Sequence, residues 1–151
     1  MTDNQVIEQL NRIYYEEETW IENKVSMEEI GKYHKIALER GNIFYAVKDE
    51  NIVGYCETWR IDFDQLGKIV CNVKMDIDTE DTVSGNIAFV CNVWIHRDFR
   101  KKNVIKLMRD KWYMDNSHCD YYCGHAQRKK VGLYKCFTKD KLVSNLFKGE
   151  K

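Results

Sequence analysis

The 151-residue sequence predicts an α/β (α+β) domain, with a mixed, mostly antiparallel central sheet flanked by helices, on three observations. Apolar residues recur at helical spacing through the first forty positions, and from Ile43 the period shortens to that of a strand. Residues 86–116 then read as an apolar strand, a turn crowded with Arg and Lys, and an amphipathic helix.

Val6, Leu10, Ile13 and Glu17 share one helical face, and Asp3 or Asn4 is available as N-cap, so a first helix is expected over 4–17. Ser26-Met27-Glu28-Glu29 has the form of a capping box; Ile30, Tyr33, His34, Ala37 and Leu38 continue the stripe of a second helix, and Gly41 ends it. Two runs rich in β-branched and aromatic residues, 43–49 and 52–61, with a turn at Glu50-Asn51, predict a β-hairpin. Ile69, Cys71, Val73, Met75 and Ile77 alternate with mostly polar residues, which predicts a further strand at 69–77. After the helix of 101–116, residues 119–125 are expected as a short strand, 124–137 as the start of another helix, and 141–147 as a final strand. The chain contains no proline, so its turns depend on Gly, Asn and Asp.

The length suits one domain, here 1–151, and the composition is that of a globular chain with no apolar stretch of signal or membrane-span length, so a cytoplasmic location is expected. Six cysteines sit mostly in apolar runs, which favours reduced core thiols. Zero net charge hides an asymmetry: residues 1–95 carry 9 Lys and Arg against 18 Asp and Glu, whereas residues 96–151 carry 15 against 6. An anionic ligand is expected on the second part and a cationic one near the first. Five cations between Arg97 and Lys106, beside amides at a helix start, form a ready seat for phosphate.

Residues 95–105, IHRDFRKKNVI, and 127–134, QRKKVGLY, resemble two motifs of the GNAT superfamily of acyl-CoA-dependent N-acyltransferases. Ile95-His96-Arg97-Asp98-Phe99-Arg100 lies on the family's strand-to-turn signature, and Arg100-Lys101-Lys102-Asn103-Val104-Ile105 on its Arg/Gln-x-x-Gly-x-Gly/Ala loop, with Asn103 and Ile105 in the glycine positions. Gln127, Lys130, Leu133 and Tyr134 match the later Asn-x-x-Ala-x-x-Leu-Tyr motif. The resemblance covers about 26–137 and implies an N-acetyltransferase that moves an acetyl group from acetyl-CoA, its co-substrate, to a primary amine. It further implies that Tyr134 protonates the departing CoA thiolate and that Gln127 and Lys130 lie near the cofactor.

The physical reading runs beside it. Arg100, Lys101, Lys102 and the amides of Asn103, Val104 and Ile105 would hold pyrophosphate, while Val93, Trp94 and Ile95 would offer a strand edge to a pantetheine arm. The amine must attack uncharged, so a base is needed. Glu57 is the first candidate and His96 the second; Glu57 reads otherwise as an exposed strand carboxylate. Glu16, Glu17, Glu18, Glu22 and Trp20 suggest a cationic acceptor, an amine-bearing small molecule or protein such as a polyamine, an aminoglycoside or a Lys-rich peptide. A homodimer is allowed, and neither membrane nor nucleic-acid partners are expected. No metal is expected: on one strand Cys119 and Cys123 would stand about 13 Å apart, too far to share an ion. The rival reading is a GNAT-like fold of viral or plasmid origin that has lost catalysis and serves as a binding or assembly module.

Overall fold

The computed structural model describes residues 1–100, 103–128 and 131–138, with the backbone alone at 125–128 and 131–137. Helix α1, Asp3–Glu16, is capped by Thr2, one residue before the expected caps, in a reciprocal capping box with Gln5. It buries Val6, Leu10 and Ile13 to 2% exposure or less, which contributes roughly 1.5–3 kcal/mol for each side chain. Helix α2, Met27–Glu39, starts at Ser26, whose side chain accepts from the Glu29 amide. It ends in a Schellman arrangement: Gly41 takes φ +72°, the Asn42 amide donates to Ala37 and the Gly41 amide to Leu38.

Strands β1, Ile43–Lys48, and β2, Asn51–Ile61, form the expected hairpin. Its two-residue loop, Asp49 and Glu50, has positive φ at both positions, matching the twist of the flanking strands. The predicted strand at 69–77 is absent. Asp62 and Gln65 instead make a second capping box, starting helix α3, Phe63–Val70, which absorbs Ile69; Asn72, at φ 57°, turns the chain out of it. The loop beyond is held without a neighbouring strand, because the Arg40 guanidinium donates to the carbonyls of Ile77, Asp78 and Glu80. The apolar alternation was real, since Met75 and Ile77 pack on the core, but it belongs to a loop wall.

Strand β3, Ile87–Ile95, pairs antiparallel with β2; helix α4, Val104–Asp115, then leads to β4, Tyr121–Arg128, which lies parallel to β3. Gly85 precedes β3 where a Cβ would lie 2.0 Å from the Ile61 backbone, so no larger residue fits. The helix expected over 124–137 is instead strand: its first residues end β4, and the later ones lie in β5, Val131–Thr138, which pairs antiparallel with β4. Gly124 and Gly132 each weaken a helix there. The expected strand at 141–147 lies outside the described residues. Cysteines 56, 71 and 91 are free thiols, with Cys71 and Cys91 exposed, and the buried Cys119 thiol donates to the Gly85 carbonyl. Cys123 is disulfide-bonded, against the expectation of reduced thiols; it stands opposite Cys136 across the β4–β5 ladder, within the separation a disulfide spans.

The sheet order is β1-β2-β3-β4-β5, with β3–β4 the parallel pair. One core lies between the sheet and helices α1 and α2, and a second, around Met108, Trp112 and Tyr122, lies under α4. Trp112 Nε1 donates to Thr58 Oγ1 at 2.6 Å, fixing α4 against β2.

Candidate active site

Alternation along β2 directs Tyr55, Glu57 and Trp59 to the α1–α2 face and Cys56 to the α4 face. Glu57 is 7% exposed, so the reading of an exposed strand carboxylate is corrected: a strand with helices on both faces leaves no solvated side. The Tyr33 hydroxyl donates to Glu57 Oε2, and Trp59 Nε1 donates to the same oxygen at 3.1 Å. Burial pushes the Glu57 carboxyl up to about 7, outweighing the two donors, which pull it down.

Beside Glu57 stands a second buried carboxylate that the acidic run at 16–18 concealed. Glu18, fully buried, accepts from the Tyr55 hydroxyl and from Asn92 Nδ2, and Asn92 Nδ2 also approaches the Tyr55 hydroxyl at 2.7 Å. Burial raises its carboxyl above the usual range despite those donors. Glu57, Tyr33, Asn92 and Cys91 border one cleft of about 760 Å³, which the loop of Lys74–Asp78 also lines. Tyr55 and Asn92 were not singled out in the sequence, although Tyr55 follows from the period-2 pattern of β2; Tyr33 was read only as part of the α2 stripe and Glu18 only as one of the acidic residues for a cationic acceptor. His34, 4% exposed, donates through Nδ1 to Asn11 Oδ1 at 2.7 Å, and burial lowers it to about 4, so it ties α2 to α1 as an uncharged ring.

His96, the second candidate base, is not brought to this cleft. Its Nδ1 accepts from the Asp98 amide at 3.1 Å, and its ring borders a different groove with Arg12, Glu16 and Lys48.

The β3–β4 pairing ends at Val90 and Gly124, while β3 runs on to Ile95. From Asn92 to Ile95, therefore, β3 pairs with β2 on one side and has no strand on the other among the described residues. Val93, Trp94, Ile95, Arg100 and Ile105 border a groove of about 310 Å³ along this edge, joined by Trp20. Arg100 Nε donates to the Ile95 carbonyl at 2.9 Å. Helix α4 begins after Asn103 with no side-chain cap, leaving the first-turn amides around Val104 and Ile105 to other acceptors. Asn103 has φ −63°, so the left-handed backbone that glycine would permit there is not used. Lys101, Lys102 and Lys130 lie outside the described residues. Gln127 is on β4 opposite Gly132, and Tyr134 is on β5 opposite His125, a strand position in place of the expected helical one.

The arrangement offers a buried carboxylate that can take a proton near neutral pH, beside an open strand edge and an uncapped helix start. The sequence profile of the acetyltransferase (GNAT) family matches residues 7–136. No curated protein matches the chain. Among solved structures, the loading GNATL domain of CurA from Lyngbya majuscula has a TM-score of 0.53 at 18% identity; the match covers 85% of this chain and 61% of that one, so the chain spans less than two thirds of it. An acetyltransferase of GNAT family from Staphylococcus aureus Mu50 has a TM-score of 0.51 at 16% identity, covering 95% and 71%. AAC(6')-Iy in complex with the bisubstrate analog CoA-S-monomethyl-acetylneamine has a TM-score of 0.52 at 12% identity, covering 99% and 84%. At these identities the likeness is one of fold. With the family profile spanning most of its length, the chain belongs to the acetyltransferase (GNAT) family.

Proposed function

We propose that the chain is an N-acetyltransferase that moves an acetyl group from acetyl-CoA to the primary amine of a cationic acceptor, with Glu57 as general base. The observation that carries the reading is Glu57 itself, a carboxylate held near neutrality at the cleft wall, paired in register with Asn92 where β3 leaves β4. Support for the co-substrate comes from the free β3 edge, from the uncapped start of α4 and from Arg100 beside it. Val93, Trp94 and Ile95 would hold the pantetheine arm through their backbone; Arg100, Asn103, Val104 and Ile105, with Lys101 and Lys102, would hold the pyrophosphate, and Gln127 and Lys130 are carried over from the family motif. When bound, acetyl-CoA supplies an activated thioester carbonyl and a thiol leaving group.

The chain's own residues then have separate tasks. Glu57 accepts a proton from the acceptor's ammonium, freeing its lone pair for attack on the thioester carbon. Tyr33 and Trp59, both donating to one Glu57 oxygen, leave the other to face the amine. As the new C–N bond forms and the C–S bond breaks, Tyr134 gives its phenolic proton to the sulfur, and the second proton that the nitrogen loses in becoming an amide passes through solvent to restore the phenol; the role of Tyr134 rests on the family resemblance.

A second reading, an inert binding module, is favoured by Ile105, whose branched side chain borders the groove where a small residue would admit phosphate more closely. Calorimetric titration with acetyl-CoA separates the two. Binding, together with thiol release in the presence of amines, is the expected result; no heat and no thermal shift at millimolar acetyl-CoA would leave the inert module.

A further inference from the structure

The acidic residues that the sequence offered for a polycation do not gather at the cleft. Glu16 and Glu17 border the separate groove beside His96, Glu22 is exposed and borders neither groove, and Glu18 is consumed by Tyr55 and Asn92. The cleft at Glu57 is instead walled by Tyr14, Trp20, Ile21, Tyr33 and Met75, and its other charged neighbours are Lys32 and Lys74 together with Glu29, Asp76 and Asp78. Glu29, Asp76 and Asp78 are exposed and Glu57 is the cleft's one buried carboxylate, so a polyamine or an aminoglycoside would set its further charges against the aromatic wall and the two lysines, with only solvated carboxylates to receive them.

Trp20 is placed to recognise something flatter. Its ring is 53% exposed, and it borders both the Glu57 cleft and the groove along the free edge of β3, the two places that acceptor and donor would occupy. An exposed indole at such a junction offers a stacking face and an attraction for a nearby ammonium.

We propose that the cleft selects a primary amine bearing one positive charge on an apolar, ring-sized body, with the ring against Trp20 and its aromatic neighbours and the ammonium directed at Glu57. The inference rests on the acetyl-transfer reading for its chemistry, but the recognition it describes is measurable without transfer. The loop of Asp76 and Asp78 serves as a fixed wall, since Arg40 pins its carbonyls, and the two aspartates are secondary to the aromatic surface.

The test is calorimetric titration of the full chain with 2-phenylethylamine and with spermidine, with and without saturating acetyl-CoA. Expected is at least tenfold tighter binding of 2-phenylethylamine, weakened about tenfold by Trp20→Ala at this exposed position and less than threefold by Asp76→Asn with Asp78→Asn. Spermidine binding as tightly or more tightly, neither amine binding, or a tenfold loss in the double aspartate variant would each overturn the inference. Thiol release from acetyl-CoA is followed in parallel. Preferential turnover of spermidine would keep acetyl transfer and reject this acceptor class, whereas tight 2-phenylethylamine binding with no response to acetyl-CoA would keep the acceptor class and reject acetyl transfer.

Discussion

Glu57 and Asn92 face each other across the β2–β3 ladder at the step where its register slips, so that Cys91 has no partner on β2. Such a bulge sharpens the local twist and re-aims the side chains around it. Here it separates two hydrogen-bond systems: Asn92 serves Glu18, while Glu57 is served by Tyr33 and Trp59.

Glu57→Gln should lower kcat by about 100-fold or more if Glu57 is the base. In the wild type, kcat/KM should rise with pH through about 7, as the carboxylate forms, and the variant should lose that limb. Stability carries the opposite sign. Because the folded carboxyl titrates at about 7 and its ordinary value is 4.5, the native state holds an extra proton between those values. The stability this gives is fully present below 4.5 and is lost as pH rises through 7, a change of about 3 kcal/mol. Urea denaturation at pH 5 and pH 8 should therefore show Glu57→Gln gaining on the wild type at the higher pH.

Removing Glu18 strands the buried Tyr55 hydroxyl and leaves Asn92 Nδ2 with the Tyr55 oxygen as its remaining acceptor. Glu18→Ala should cost about 2–4 kcal/mol, a fall in Tm of roughly 5–15 °C. Glu18→Gln should cost less, as it keeps one acceptor oxygen but sets an amide donor against Asn92. A scanning calorimeter comparing the two variants checks the ordering, and equal losses would mean that the network is not selective for a carboxylate.

His34 works in the acid range. Its folded value of about 4 lies below its ordinary 6.5, so the stability it contributes is present above 6.5 and is lost as pH falls towards 4. Between 4.5 and 6.5 this runs against the effect of Glu57, which stabilises on acidification. His34→Gln, which can still donate to Asn11, should flatten the fall in Tm between pH 7 and pH 4.5.

Tyr134→Phe should lower kcat with little change in KM for acetyl-CoA, because a proton delivered to the leaving sulfur acts in the transition state. Unchanged turnover would remove Tyr134 from the mechanism. The strand position of this residue makes the test informative, since the motif that nominated it presumes a helix.

How legible the chain was depended on how local each signal is. The first two helices, the β1–β2 hairpin and the strand–turn–helix of 86–116 follow from period and capping, both properties of neighbouring residues. The strand expected at 69–77 failed because a loop wall with one apolar face alternates as a strand does, and only Arg40, more than thirty residues earlier in sequence, reveals what satisfies its carbonyls. The helix expected after Gly124 failed because β-pairing between 121–128 and 131–138 overrode a weak local pattern. At the site, Glu57 was legible as a strand carboxylate beside aromatic residues. Its partner Tyr33 and the burial of Glu18 were not, because three adjacent glutamates look alike until the chain's path buries one of them.

Arg40 offers the last test, since it joins the fold to the cleft. Its guanidinium donates to the Ile77, Asp78 and Glu80 carbonyls, and Asp76, Ile77 and Asp78 border the same cleft as Glu57. Arg40→Met keeps the aliphatic stem and removes the donors, leaving those carbonyls to water or to each other. The loop should then loosen, at a cost of about 1–3 kcal/mol. Because the groove at β3 and α4 shares no residue with this loop, acetyl-CoA binding should be unaffected. KM for the amine should rise several-fold while kcat changes little, as the wall positions the acceptor's body and Glu57 remains in place. Steady-state kinetics against amine and acetyl-CoA separately decide the matter: a matched loss in both would show that Arg40 supports the whole domain and not this wall.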